Sequence, residues 1–188
     1  MNLVIFGPPG AGKGTQSNYI VEKFNLFQLS TGEILRNEIK NKTKLGHEIS
    51  SIINSGNLVS DHIVSDLIEK YISDINYKSR LIFDGYPRNL AQARNLDYLL
   101  KKTDQKIDIV LKLSVSLETI KKRISERRNL ENRADDNENI AVKRYQTYEK
   151  NIKPVIDFYE HTGLLRVVNG EGSIVEINSE ISALIKAI

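Results

Sequence analysis

One turn limits what this chain can fold into more than any other feature. Gly7-Pro8-Pro9-Gly10-Ala11-Gly12-Lys13-Gly14-Thr15 follows Leu3-Val4-Ile5-Phe6, a short apolar run of β type, and precedes a helical stretch from Gln16 to Phe24. A strand, a glycine-rich turn and a helix in that order form a cradle for phosphate. The glycines let successive backbone N–H groups converge on one anion. Lys13 carries a charge on a long stem, and the helix N-terminus adds a partial positive charge at the same spot. The pattern G-x-x-x-x-G-K-[ST] holds with one departure. Gly14 follows the lysine, and the hydroxyl comes one residue later, at Thr15. Any metal contact through Thr15 is therefore expected to be indirect.

Apolar runs of β type recur at 27–29, 80–85, 107–113 and 164–168, with helical periodicity between them. That alternation predicts an α/β fold: a five-stranded parallel sheet with helices on both faces, in three layers. The length, 188 residues, suits one such domain. Two segments stand outside the alternation. Residues 30–59 read as two short helices inserted into the core, and 127–137 as a short arginine-bearing loop. The core is then 1–29, 60–126 and 138–188.

Local signals set the expected boundaries. Ser30-Thr31-Gly32-Glu33 has capping-box spacing, so a helix starts near Thr31, with Thr31 and Arg36 exposed near its N-terminus. A second helix runs from Leu45 to Asn54 and ends at Ser55-Gly56-Asn57. Asp61 is expected to cap a helix reaching about Ser73, Ser116 another, and Ser173 the last. The helix from Asn139 to His161 carries Tyr145, Tyr148 and Tyr159 on a core-facing stripe, with a kink or interruption at Pro154.

Composition excludes several classes. There are no cysteines, hence no disulfide, no thiol nucleophile and no Cys-based zinc site. The three histidines, His47, His62 and His161, are scattered and read as surface or local packing. A net charge of +3 does not argue for nucleic acid. No apolar run approaches the ~20 residues that span a bilayer, and the N-terminus lacks a signal-peptide pattern. A cytosolic protein is expected, with no membrane partner.

What remains suits phosphoryl transfer, where catalysis is mainly positioning and charge stabilisation. Asp84, at the end of a strand, should face the metal–phosphate zone. Arg88 falls at the sheet edge where open α/β folds bind ligands. Five of the ten arginines lie between 123 and 144, and Arg123 and Arg127 share one helix face. Forked guanidinium groups suit bidentate phosphate binding. No general base is evident. A phosphate acceptor, already ionised near pH 7, needs none, whereas a hydroxyl normally does.

The chain resembles adenylate kinase along its whole length. The likeness rests on Gly7 to Gln16, Leu29 to Arg36, Gly56 to Asp61, Asp84 to Arg88 with Gln92, and Arg133-Ala134-Asp135-Asp136 with Arg144. It implies a P-loop fold in which ATP and AMP interconvert with two ADP, with Mg²⁺. The ATP side would be Gly10, Ala11, Gly12, Lys13, Gly14, Thr15, Arg123, Arg127 and Gly172. Arg123 would lie against the adenine and Arg127 on the phosphates. The AMP side would be Thr31, Arg36, Asn57, Leu58, Val59, Gly85, Tyr86, Pro87, Arg88 and Gln92. Arg133 and Arg144 would bridge both phosphate groups. Lys13, Arg88, Arg127, Arg133 and Arg144 would stabilise the transferring charge. Asp84 would hold the water shell of Mg²⁺.

The resemblance also implies that 30–59 is the AMP-binding insert and 127–137 a short lid. That lid lacks the zinc ligands of longer forms, so no zinc is expected. A monomer is the family expectation. UMP/CMP kinases share the fold and a similar lid, but Thr31 and Gln92 match the adenine-accepting pattern, where the pyrimidine kinases resemble Ala and Asn. A P-loop ATPase without a nucleotide acceptor is the other reading. The second set of arginines and the 30–59 insert speak against it.

Overall fold

The structure is a computed structural model. It describes the backbone of residues 1–131 and 138–188 and the side chains of 1–126 and 139–188. Its centre is β1 (Leu3–Phe6), which is buried at every position. β2 (Phe27–Ser30), β3 (Leu81–Asp84), β4 (Ile109–Ser114) and β5 (Leu165–Asn169) complete a five-stranded sheet. The strand order is β2-β3-β1-β4-β5, and every pairing is parallel. The inner strands read as continuous apolar runs because helices cover both faces. β5 is an edge strand and keeps Val167 exposed.

Ile5 pairs in register with Asp84 on one side of β1 and with Leu111 on the other. The strands therefore end together, and the turns that follow β1 and β3 emerge side by side. One face is filled by α1 (Lys13–Phe24) and α8 (Ile174–Lys186), which bury Ile20, Ile177, Ile181 and Ile185 against Leu3, Ile5 and Leu111. The opposite face takes α4 (Asp61–Ile72), α5 (Leu90–Lys102) and α7 (Glu138–His161), with Ile68, Leu96, Val155 and Tyr159 packed on Val4, Phe83 and Val110.

α2 (Thr31–Lys40) and α3 (Lys44–Asn54) follow β2 and lean on each other. A Cβ at Gly46 would lie 2.1 Å from the Glu38 carbonyl oxygen, so only glycine allows this approach. The Thr43 hydroxyl caps α3 by accepting from Gly46 N at 3.0 Å. α6 (Leu117–Glu131) follows β4.

Several boundaries differ from expectation. α1 begins at Lys13 rather than Gln16, because Gly12, in left-handed conformation, is its N-cap. α2 starts at Thr31 as expected, yet the Ser30 side chain makes no capping bond. Ser60, not Asp61, is the N-cap residue of α4, which frees the Asp61 carboxylate for partners on α5. α6 continues to Glu131, so it takes in the first five residues of the loop expected at 127–137. α7 passes through Pro154 without interruption; Ile152 and Val155, both buried, hold it on the core either side of the proline.

Candidate active site

The turn after β1 needs two residues with positive φ, Gly10 at 85° and Gly12 at 93°. A side chain would strain either one, and a Cβ on Gly10 would also sit 2.9 Å from Ile124 Cγ1. These glycines turn the chain tightly enough for the backbone of 10–15 to line one wall of a cavity of about 750 Å³. The Lys13 ammonium folds back over its own turn, donating to Gly7 O at 2.8 Å and Pro8 O at 3.1 Å. Thr15 lines the same cavity.

Arg123 joins this turn to the far side of the sheet. Its Nη1 donates to Ala11 O at 3.2 Å and its Nη2 to Gly170 O at 2.8 Å. Gly172 stands next to that junction on the cavity wall. The neighbouring Glu171 caps α6, accepting from Ser116 N and Thr119 Oγ1. These bonds, that from the Ser116 backbone first, hold its carboxyl below the usual range. Asp84, buried at the end of β3, lines the cavity from the other side. Gln28 Nε2 donates to its Oδ2 at 3.0 Å.

A smaller pocket of about 140 Å³ adjoins the cavity. Thr31, Leu35 and Arg36 of α2 line it, with Asn57, Leu58 and Val59 after α3. Gly85, Pro87, Arg88 and Gln92 close it from the turn into α5. Thr31 is not exposed as expected: it retains 2% of its surface, and its hydroxyl donates to Gly85 O at 2.9 Å. Arg88 Nε donates to the same carbonyl at 2.7 Å. Tyr86 departs from the expected set. It is 1% exposed and absent from the pocket lining, with its hydroxyl accepting from Asn95 Nδ2. Burial raises its phenol pKa.

Lys13, Arg36, Arg88 and Arg144 line both spaces. Crowding has a cost there. Burial, then the nearby Arg144, lowers the Arg88 pKa to about 10, with Asp84 opposing and Arg36 adding to the shift. Of the lid expected at 127–137, residues 127–131 belong to the end of α6, while residues 132–137 and the side chains of Arg127 and Arg133 lie outside the described residues.

Sequence reasoning missed four residues. Tyr148, read as packing, lines the smaller pocket with Asn151, and its hydroxyl is buried with no partner among the described residues. Gln28 reaches Asp84, and Asp61 reaches Gln92. Only Gln28, a polar residue inside an apolar strand, leaves a trace in the sequence. Among the described residues, no cluster of three or more His, Asp or Glu could hold a metal by itself.

The arrangement is one open cavity and one tight pocket, joined by four cations and edged by one buried carboxylate. It is built to hold two anionic ligands against each other. The sequence model that describes adenylate kinase matches residues 5–164. The chain belongs to the adenylate kinase family. It is 41% identical to an adenylate kinase of Pelagibacter ubique (strain HTCC1062), over 99% of this chain and the full length of that protein. An adenylate kinase of Stenotrophomonas maltophilia (strain K279a) is 42% identical over the full length of both. One of Methanothrix thermoacetophila is 37% identical over 98% of each. The chain is thus a nucleoside monophosphate kinase, a phosphotransferase with the α/β architecture of that family. Neither a UMP/CMP kinase nor an ATPase without an acceptor is favoured by these likenesses.

Proposed function

We propose that the protein catalyses the reversible, Mg²⁺-dependent transfer of the ATP γ-phosphoryl group to AMP, giving two ADP. It would act as a cytoplasmic monomer in nucleotide homeostasis. The observation that carries this reading is the wall shared by the two spaces, formed by Lys13, Arg36, Arg88 and Arg144. A donor triphosphate in the larger cavity and an acceptor monophosphate in the smaller pocket meet at those cations. No described helix is long and apolar enough to cross a membrane.

ATP lies with its phosphates on residues 10–15 and its base between Arg123 and Gly172. Lys13 leaves the carbonyls of Gly7 and Pro8 to follow the transferring group. AMP sits among Thr31, Arg36, Val59 and Gln92, with its phosphate on Arg88. Arg144, with Arg127 and Arg133 from the lid, neutralises the charge shared between the phosphates. A buried carboxylate beside a phosphate cradle fits a hard cation bound through water, so Asp84 is the residue that would hold Mg²⁺, with Thr15 at most indirect. Held there, the ion would supply charge neutralisation to the phosphates.

No zinc is required, and nucleic acid has no part. The inserts at 30–59 and 127–137 close over both nucleotides and exclude the water that would otherwise accept the phosphoryl group.

The test is an acceptor panel: protein and MgATP with AMP, UMP, CMP or no acceptor. ADP formed rapidly with AMP alone is expected. Faster turnover with UMP or CMP overturns the acceptor assignment. Equal ADP release without acceptor makes the protein an ATPase.

A further inference from the structure

Gln92 is the group expected to read the acceptor base, but an amide alone reads a purine ambiguously. Adenine offers a ring-nitrogen acceptor beside an amino donor. A 6-oxopurine offers a ring N–H donor beside a carbonyl acceptor. A glutamine free to turn its amide by half a rotation would pair with either edge. Something must decide which atom points where.

The structure assigns that decision to Asp61. Two partners hold the Gln92 amide. The Arg88 backbone N–H reaches it at 2.7 Å and can only donate, so the atom it meets is Oε1. Asp61 Oδ1 lies 2.7 Å from the other atom, and a carboxylate can only accept, so that atom is Nε2. One partner fixes each end. The amide keeps one N–H and one lone pair for a ligand, in a single orientation.

Asp61 is itself fixed. Asn89 Nδ2 donates to both of its oxygens at 3.0 Å, while Asn89 Oδ1 caps α5 by accepting from Gln92 N at 2.8 Å. The lock therefore joins the first turn of α4 to the first turn of α5. Both belong to the core, so it does not depend on the position of α2 and α3. Gln92 is 4% exposed, so water cannot easily replace a lost partner. We propose that Asp61 is a positioning residue that selects 6-aminopurine over 6-oxopurine monophosphates through the orientation of Gln92.

The inference rests on the acceptor reading above. The test compares AMP with IMP as acceptor, in kcat/KM, with the KM for ATP measured alongside. Asp61→Asn is not the test, because its oxygen at the Oδ1 position would still accept from both Gln92 Nε2 and Asn89 Nδ2. Asp61→Leu keeps similar bulk and removes both acceptor oxygens, so Gln92 Nε2 loses its partner and only the Arg88 N–H still holds the amide. The AMP:IMP ratio should fall at least about tenfold, the loss of one such polar contact. The KM for ATP should stay within about twofold, since nothing on the ATP side has changed.

Asp61→Glu keeps an acceptor and should hold the ratio closer to wild type than Asp61→Leu does. A ratio unmoved in Asp61→Leu, or moved alike in both variants, overturns the lock. Gln92→Leu separates this from failure of the underlying reading. If Gln92→Leu keeps the preference for AMP, the base does not sit at this pocket and the acceptor reading falls. If Gln92→Leu loses the preference while Asp61→Leu retains it, only the lock falls.

Discussion

The two ends of the site are built in opposite ways. The proposed donor end comes from one continuous turn, residues 7–15. The proposed acceptor end is assembled from α2, the turn after α3, the turn between β3 and α5, and α7. The first needs two glycines in the left-handed region and one lysine. The second needs arginines brought from distant parts of the chain and held close together against their mutual repulsion. In the proposed reading, a local motif carries the general task of gripping a polyphosphate, and tertiary structure carries the choice of acceptor.

Four substitutions test that division, and the first has the largest expected effect. Lys13→Ala should lower kcat by about 10²–10³, the range for loss of one transition-state charge contact, with far-UV circular dichroism unchanged. Near-normal turnover would remove lysine from the donor end.

Arg88→Ala should lower kcat/KM for AMP by about 10²-fold, as expected for loss of a desolvated charge contact to phosphate, and leave the KM for ATP nearly unchanged. Equal losses on both sides would erase the contrast between the two ends. The same variant has a stability signature. Arg88 has a folded pKa of about 10, below the ordinary arginine value. The unfolded chain therefore binds this proton more tightly, and stability from this group rises only as pH climbs through about 10. At neutral pH its charge opposes folding until an anion arrives. Ligand-free Arg88→Ala should melt no lower than wild type, and AMP should raise its melting temperature less. A clear drop in the ligand-free melting temperature would show that Arg88 stabilises the empty fold.

Gly46→Ala tests the acceptor end from a distance. Its Cβ meets the Glu38 carbonyl, so α2 and α3 must separate, at a cost of about 1–3 kcal/mol. Urea unfolding should show that loss. The KM for AMP should rise about tenfold while that for ATP moves little, because α2 carries Thr31 and Arg36. The smallest effect is expected for Arg123→Ala, which unties Ala11 from Gly170. The KM for ATP should rise about fivefold, near the loss of two hydrogen bonds to backbone, with AMP unaffected. A matching rise for AMP would mean that the two ends are not separable.

The same division explains what could be read from the sequence. The sheet and its strand count were legible because each strand is a short run dominated by apolar residues, with helical periodicity between the runs. The donor turn was legible because its residues are contiguous. Asp84 and Arg88 were legible from their place at and just after a strand end, and Gln92 only through the resemblance to adenylate kinase. Asp61 was misread as a cap because its carboxylate is used across α4 and α5, and sequence distance hides a partner 31 residues away. Thr31 was misread as exposed because a threonine at a helix start usually is; here Gly85 O takes its hydroxyl. Tyr148 followed the packing stripe so well that its place on the pocket wall left no mark in the periodicity.

The position of β1 in the middle of the sheet has a further consequence. The chain places β2 and β3 on one side of β1 and then crosses over to β4 and β5 on the other, so in the proposed reading each nucleotide has its own half of the sheet. Substitutions around β2 and β3 can retune which monophosphate is accepted without disturbing how the triphosphate is gripped beside β4 and β5. Such a layout is modular from within: one half can drift toward a new partner while the other keeps its old one.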